Sequence, residues 1–144
     1  MPRMIFLNLP VADLDRSVAF YKAIGAERNA QFSDETAAMM SLSDTINVML
    51  LTHDKFRQFT DKRIVDPRDS AQVLLALSCD SRDDVDTLSE RALASGGREL
   101  HGAEDLGWMY SRAFEDPDGH GWGPLWMDVE AAAQAMAQCE AADA

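Results

Sequence analysis

The sequence has few of the residues that bind soft metals or form disulfides: two cysteines and three histidines in 144 residues. Cys79 lies in an apolar stretch and Cys139 in an alanine-rich tail, with no Cys-x-x-Cys pair anywhere. A thiolate zinc site is therefore excluded, and the two thiols are predicted to be buried or unreactive. His53, His101 and His120 form no His-x-His or His-Glu-x-x-His pair, so surface positions are predicted for all three.

Positive charge and long apolar runs are also scarce. The net charge is −12, from 13 basic and 25 acidic residues, which argues against a nucleic-acid partner. No apolar run approaches the roughly 20 residues that cross a bilayer. The amino-terminal stretch "MPRMIFLNLPVADLD" runs into acidic residues instead of a cleavage site. These features predict a soluble cytoplasmic protein without a membrane partner.

The basic residues that are present cluster in one segment. Five of the thirteen lie within "HDKFRQFTDKRIVDPRD", residues 53–69, which is therefore nearly neutral in an acidic chain. The segment contains a short helical pattern and is broken at Pro67, which indicates a connector. The sequence alone assigns this connector no role.

The residues before the connector predict a strand, a helix and three strands. "MIFLNLPV" alternates with period two, so Ile5, Leu7 and Leu9 share one face and Phe6 with Asn8 the other. A helical pattern follows, with an aspartate N-cap at position 13 and a glycine stop at position 25. Strands are predicted at about 27–33, 36–42 and 45–52.

The same order returns after the connector. "AQVLLALSCD" predicts a strand, Ser81 begins a helix that ends at Gly96, and strands are expected near 98–104, 108–115 and 121–128. The prediction is one α+β domain built of two βαβββ modules, with curled mixed sheets that enclose a pocket. Its parts are module one at 1–60, a connector at 61–70, module two at 71–128 and a tail helix at 129–142.

The last predicted strand contains "GWGPLW", which is unusual for a strand interior. Gly121 and Gly123 weaken a strand, and Pro124 cannot donate to a ladder hydrogen bond. Either this strand lies at a sheet edge, or a side chain that would ordinarily fill one of its faces is missing.

The repeat, the run "PVADLDRSVAFY" and the turn "FEDPDG" together resemble the vicinal oxygen chelate superfamily. That superfamily includes glyoxalase I, bleomycin resistance proteins, fosfomycin resistance enzymes and extradiol dioxygenases. The resemblance implies two curled sheets that form a cup. It also implies, for the metal-dependent members, four His, Gln or Glu ligands on the first and last strands of the modules.

Carried over one by one, those four ligand positions fall on residues that cannot bind a hard divalent metal. They are Phe6, Leu74, Met49 and Gly123. Phenylalanine and leucine offer no donor, a thioether is soft, and glycine has no side chain. The resemblance therefore implies the fold without its metal, and no cofactor is expected.

Other candidates come from the strand alternation. Asn8 shares a face with Phe6, and Asn47 with Met49, so either amide could meet a polar atom of a ligand or lie half exposed at a strand end. Tyr110 and Arg112 share a face and could stack on a ligand and recognise its anionic or carbonyl group at the mouth of the pocket, or lie on a covered outer face. A shifted metal site would use His120 with Glu115 or Asp118.

The favoured hypothesis is a glyoxalase/bleomycin-resistance-like homodimer that binds a small apolar or aromatic molecule in a metal-free pocket. The alternative is a metal-dependent lyase or dioxygenase of the glyoxalase I or extradiol dioxygenase type, and a third option is a structural or dimerising module. No catalytic residue is assigned. The predicted ligand-binding residues are Phe6, Asn8, Asn47, Met49, Leu74, Tyr110, Arg112 and Gly123.

Overall fold

The computed structural model describes residues 2–143, and they contain the predicted repeat. The first module comprises β1 (Ile5–Val11), α1 (Leu14–Ala23), β2 (Glu27–Asn29), β3 (Ala37–Ser41) and β4 (Ile46–Thr52), followed by the short helix α2 (His53–Arg57). The second comprises β5 (Leu74–Ser78), α3 (Arg82–Ala94), β6 (Arg98–Asp105), β7 (Met109–Glu115) and β8 (Gly121–Met127), followed by α4 (Val129–Asp143).

Each module folds its four strands into one mixed sheet. The strand orders are β1-β4-β3-β2 and β5-β8-β7-β6, with the first and last strands of each module parallel and the other neighbours antiparallel. The predicted α+β class and βαβββ repeat are thus confirmed. Because β8 lies between β5 and β7, the glycines and proline of "GWGPLW" do not mark a sheet edge.

The helix ends follow their capping residues. The Asp13 carboxylate accepts a hydrogen bond from the Arg16 amide at 3.1 Å, and Ser81 Oγ accepts one from the Asp84 amide at the same distance. Gly25, just past α1, has φ +108°. That left-handed conformation is strained for residues with a Cβ, which is why glycine ends this helix.

One predicted strand is shorter than expected. The pattern predicted a strand over residues 27–33, but β2 ends at Asn29 and a single 3-10 turn follows over Ala30–Phe32. Asn29 Oδ1 accepts a hydrogen bond from the Gln31 amide at 3.0 Å. This local side-chain bond offers the backbone an alternative to the sheet ladder.

The main core lies between the sheets and helices α1 and α3. Leu9 and Val11 of the first sheet and Phe114 of the second are almost fully buried in it, and Leu7 and Leu75 pack against it. The predicted alternation of β1 and β5 is therefore confirmed along most of each strand. The alternation also put Ile5 with Leu7, and Val73 with Leu75, on the faces that pack against the helices. That expectation is wrong for the first residue of each pair, because Ile5 at the start of β1 is 50% exposed and Val73, just before β5, is 57% exposed.

A buried hydrogen-bond network joins the two modules. The Tyr21 hydroxyl on α1 donates to Asp116 Oδ2 at 2.7 Å and accepts from Trp122 Nε1 at 3.0 Å. Ser17 Oγ donates to Asp118 Oδ2 at 3.1 Å. Burial raises the pKa of the Asp116 carboxyl and, together with the Asp116 charge, the pKa of the Tyr21 hydroxyl. The network thus ties α1 of the first module to β8 and to the turn after β7 in the second.

None of the helices within residues 2–143 is long and apolar enough to cross a bilayer.

Candidate functional site

A cavity of about 680 Å³ opens between the two sheets on the faces turned away from the helix core, which we call the inner faces. The first sheet contributes Asn8 and Pro10 of β1 to its wall. The second contributes Leu74 of β5, Leu100 of β6 and Gly121 of β8, and most of residues 60–74 close it from the side. The segment that carries the cluster of basic residues is thus part of the cavity wall.

This connector rests on the turn Asp116–Gly119. A Cβ built on Gly119 would lie 2.8 Å from the Arg68 backbone nitrogen and 2.9 Å from the Pro67 carbonyl carbon, so only glycine permits this approach. The Arg68 guanidinium also donates to the Pro117 carbonyl oxygen at 3.0 Å. The turn therefore positions the connector over the cavity.

The four positions that the resemblance assigns to metal ligands occupy equivalent places in the two sheets. Phe6 is aligned with Asn47, two residues before Met49, and Leu74 is aligned with Gly121, two residues before Gly123. The positions are thus carried over in a consistent register. Their side chains supply no oxygen or nitrogen donor, so the residues present do not fit the divalent metal of the metal-dependent relatives.

The shifted metal site is not supported either. His120 Nε2 lies 2.8 Å from the Pro10 carbonyl oxygen, which makes it the donor of that bond. The Glu115 carboxylate pairs with Arg98 at 3.0 Å, and Asp118 accepts from Ser17. Over residues 2–143, no three His, Cys, Asp or Glu side chains come together in an arrangement that could hold a metal.

The cavity brings together only some of the predicted ligand-binding residues. Asn8 and Leu74 line it, whereas Phe6 and Met49 lie on the inner face outside its wall. Asn47 is 1% exposed and its amide is already bonded, accepting from Ser41 Oγ at 2.7 Å and donating to the Ile5 carbonyl oxygen at 3.3 Å. Asn47 is therefore a structural link between strands. Gly123 also lies outside the wall of the cavity.

Tyr110 and Arg112, predicted at the mouth of the pocket, do not line this cavity. Both face α3 on the opposite side of the second sheet: the Tyr110 hydroxyl donates to Asp86 at 2.6 Å, and Arg112 pairs with Glu90 at 2.7 Å. The alternation correctly put them on one face. That face carries Phe114 of the core, so their polar groups are used in holding the helix to the sheet.

The sequence interpretation missed the connector and β6 as parts of the wall. Lys62, Arg63 and Arg68 line the cavity, as do Arg98 and Leu100. The clustering of basic residues in one connector was the available signal. Which surface the connector covers depends on contacts between residues about 50 positions apart, such as that of Arg68 with the turn Asp116–Gly119.

Comparison with protein families decides the relationship. The family model described as Glyoxalase/Bleomycin resistance protein/Dioxygenase superfamily matches residues 3–123. The chain belongs to this superfamily. No curated protein sequence matches it.

Solved structures agree with the superfamily assignment. A hypothetical protein from S. aureus is 24% identical, with a TM-score of 0.74 and coverage of 88% of this chain and 94% of that one. The bleomycin resistance determinant encoded on transposon Tn5 is 21% identical, with a TM-score of 0.58 and coverage of 88% and 99%. A fosfomycin resistance protein from Mesorhizobium loti is 15% identical, with a TM-score of 0.67 and coverage of 92% and 98%. At these identities the similarity shows the fold.

Proposed function

We propose that this superfamily member binds a small apolar or aromatic molecule in the cavity between its two sheets, without a divalent metal. The observation that carries the proposal is the cavity itself. Its volume of about 680 Å³ lies within the range of small-molecule sites, and apolar side chains from both the connector and the second sheet line it.

Gly121 of β8 supports a flat ligand. A Cβ on Gly121 would lie 2.9 Å from Leu74 Cδ2 and 3.4 Å from Leu100 Cδ1. Because Gly121 has no side chain, the Leu74 and Leu100 side chains can lie against the inner face of β8. A planar ring can lie against such a surface and remove apolar area from water, which stabilises binding by about 25 cal/mol per Å².

The donor set supports the metal-free part of the proposal. Of the four residues at the metal-ligand positions implied by the resemblance, only Met49 has a side-chain heteroatom, the sulfur of its thioether. A thioether is a poor ligand for a hard divalent cation. We expect nickel, zinc and manganese to leave the melting temperature of the tag-free protein unchanged. A stoichiometric, chelator-sensitive metal in the cavity would favour the lyase or dioxygenase alternative.

The test of ligand binding uses two matched leucines. A panel of neutral and charged naphthalene and biphenyl compounds is titrated into wild type, Leu74→Ser and Leu106→Ser. Leu74 lines the cavity and is 74% exposed, whereas Leu106 is 48% exposed and lies outside the cavity wall. Loss of the Leu74 contact should weaken binding by about 1 kcal/mol, roughly five-fold, and Leu106→Ser should leave it unchanged. Equal effects, or no binding by any compound, would refute the proposal.

We also propose a homodimer, as expected from the sequence. Large apolar side chains outside the cavity wall remain exposed at the end of β8 and on α4, among them Met127, Val129 and Met136. Exposed apolar side chains of this kind favour burial against another protein surface, and a second copy of the chain can supply such a surface in a symmetric dimer. Sedimentation at tens of micromolar should give twice the 15.9 kDa chain mass. A species of single-chain mass at high micromolar concentration would contradict the dimer.

A further inference from the structure

We propose that the ligand of this cavity is an amphipathic organic anion, whose acid group is held by Lys62 and Arg63 of the connector. The inference rests on the proposed function, which it narrows to a chemical class. That class comprises carboxylates, sulfonates and phosphates carried on an apolar or aromatic body.

The charge of the cavity wall is opposite to that of the whole protein. Four basic side chains line it, Lys62, Arg63, Arg68 and Arg98, against two acidic ones, an excess of two positive charges. The chain as a whole carries −12. The positive charge of the cavity wall attracts anions to this surface, whereas the negative charge of the rest of the protein repels them.

Two of the four cations already have partners. The Arg98 guanidinium pairs with Glu115 at 3.0 Å, and the Arg68 guanidinium donates to the Pro117 carbonyl oxygen. Among the residues that the structure describes, the side chains of Lys62 and Arg63 make no hydrogen bond or ion pair. Their donors are therefore available to a ligand.

The same wall supplies an apolar surface. Ile64 and Val65 follow Arg63 directly in the connector, and Leu74 and Leu100 line the cavity from the second sheet. A guanidinium can hold an oxyanion with two parallel hydrogen bonds, and an ammonium adds a point charge. A molecule that uses both kinds of surface needs an acid group joined to an apolar body.

The experiment compares two fluorescent probes that differ by one acid group. Anilinonaphthalene sulfonate is an aromatic anion, and phenylnaphthylamine is the same ring system without the sulfonate. Both are titrated into wild type, Lys62→Gln, Arg63→Gln and the double variant. Arg91→Gln serves as the control, because Arg91 is an exposed residue of α3 outside the cavity wall and its loss changes the net charge equally.

We expect wild type to bind the sulfonate about ten-fold more tightly than the neutral probe. Each single variant should weaken sulfonate binding about two- to five-fold, as exposed ion pairs do, without changing the affinity for phenylnaphthylamine. Arg91→Gln should change neither. If both probes bind equally, or if the connector variants affect both alike, the anion proposal is overturned while the proposed function stands. If neither probe nor any compound of the panel binds, both fail.

Discussion

Removing the Tyr21 hydroxyl tests whether the buried network holds the two modules together. In Tyr21→Phe, Asp116 Oδ2 loses a donor at 2.7 Å and Trp122 Nε1 loses its acceptor at 3.0 Å. The ring of Tyr21 is fully buried, so water does not replace the hydroxyl without rearrangement. The substitution removes one oxygen and keeps the packing of the ring.

The expected loss follows from the two bonds. A hydrogen bond to a charged group contributes about 1.5–3 kcal/mol, and a buried neutral donor left without a partner costs about 1–3 kcal/mol. Together they predict that the free energy of unfolding falls by about 2.5–6 kcal/mol. That is a large fraction of the roughly 5–15 kcal/mol that stabilises a typical domain.

The assay is urea unfolding, with Tyr110→Phe as the matched control. The chain has only these two tyrosines. The Tyr110 hydroxyl bonds to the half-exposed Asp86, where water can substitute for it, so about 1 kcal/mol or less is expected. Tyr110→Phe should also leave probe binding unchanged. If Tyr21→Phe costs no more than Tyr110→Phe, the network does not contribute as the distances indicate.

Two further predictions concern the turn Asp116–Gly119. Burial raises the pKa of Asp116 above its ordinary 3.8, so the ionised carboxyl is a cost to the folded state that protonation relieves. The free energy of unfolding of wild type, relative to Asp116→Asn, should therefore rise as pH falls from 7 toward 4 in urea titrations, and a constant difference would contradict this. Gly119→Ala should cost about 2–4 kcal/mol and weaken probe binding, because its Cβ displaces the connector as well as straining φ. Gly25→Ala has equal strain and open space around it, so about 1 kcal/mol and unchanged binding are expected, and equal losses would refute the contact.

The order of the elements could be predicted from the sequence because the signals for them are local. Alternation in "MIFLNLPV", the aspartate cap at position 13 and the glycine at position 25 act within a few residues of each other. The resemblance assigned the four metal-ligand positions, and the residue types found there supply no oxygen or nitrogen donor. Phe6, Met49, Leu74 and Gly123 lack such a donor wherever the strands lie.

The composition of the site depended on the tertiary structure. Alternation showed that Tyr110 and Arg112 share a face, but only the packing of α3 decided that this face is the covered one. Asn47 could be placed near Met49, but its partners Ser41 and the Ile5 carbonyl come from two other strands. The alternation of side chains along a strand defines its two faces, but it does not determine which element packs against each face.

The connector shows most clearly which features the sequence predicts and which depend on the tertiary structure. Its basic residues are visible in the sequence as five of thirteen within 17 positions. That three of them, Lys62, Arg63 and Arg68, line a cavity follows only from the approach of Pro67 and Arg68 to Gly119, some 50 residues later in the chain. Local pattern determined the strands and the helices, and the family resemblance together with residue type indicated the missing metal donors. The cavity and its charge were decided by contacts between distant residues, because those contacts form only when the two modules pack together.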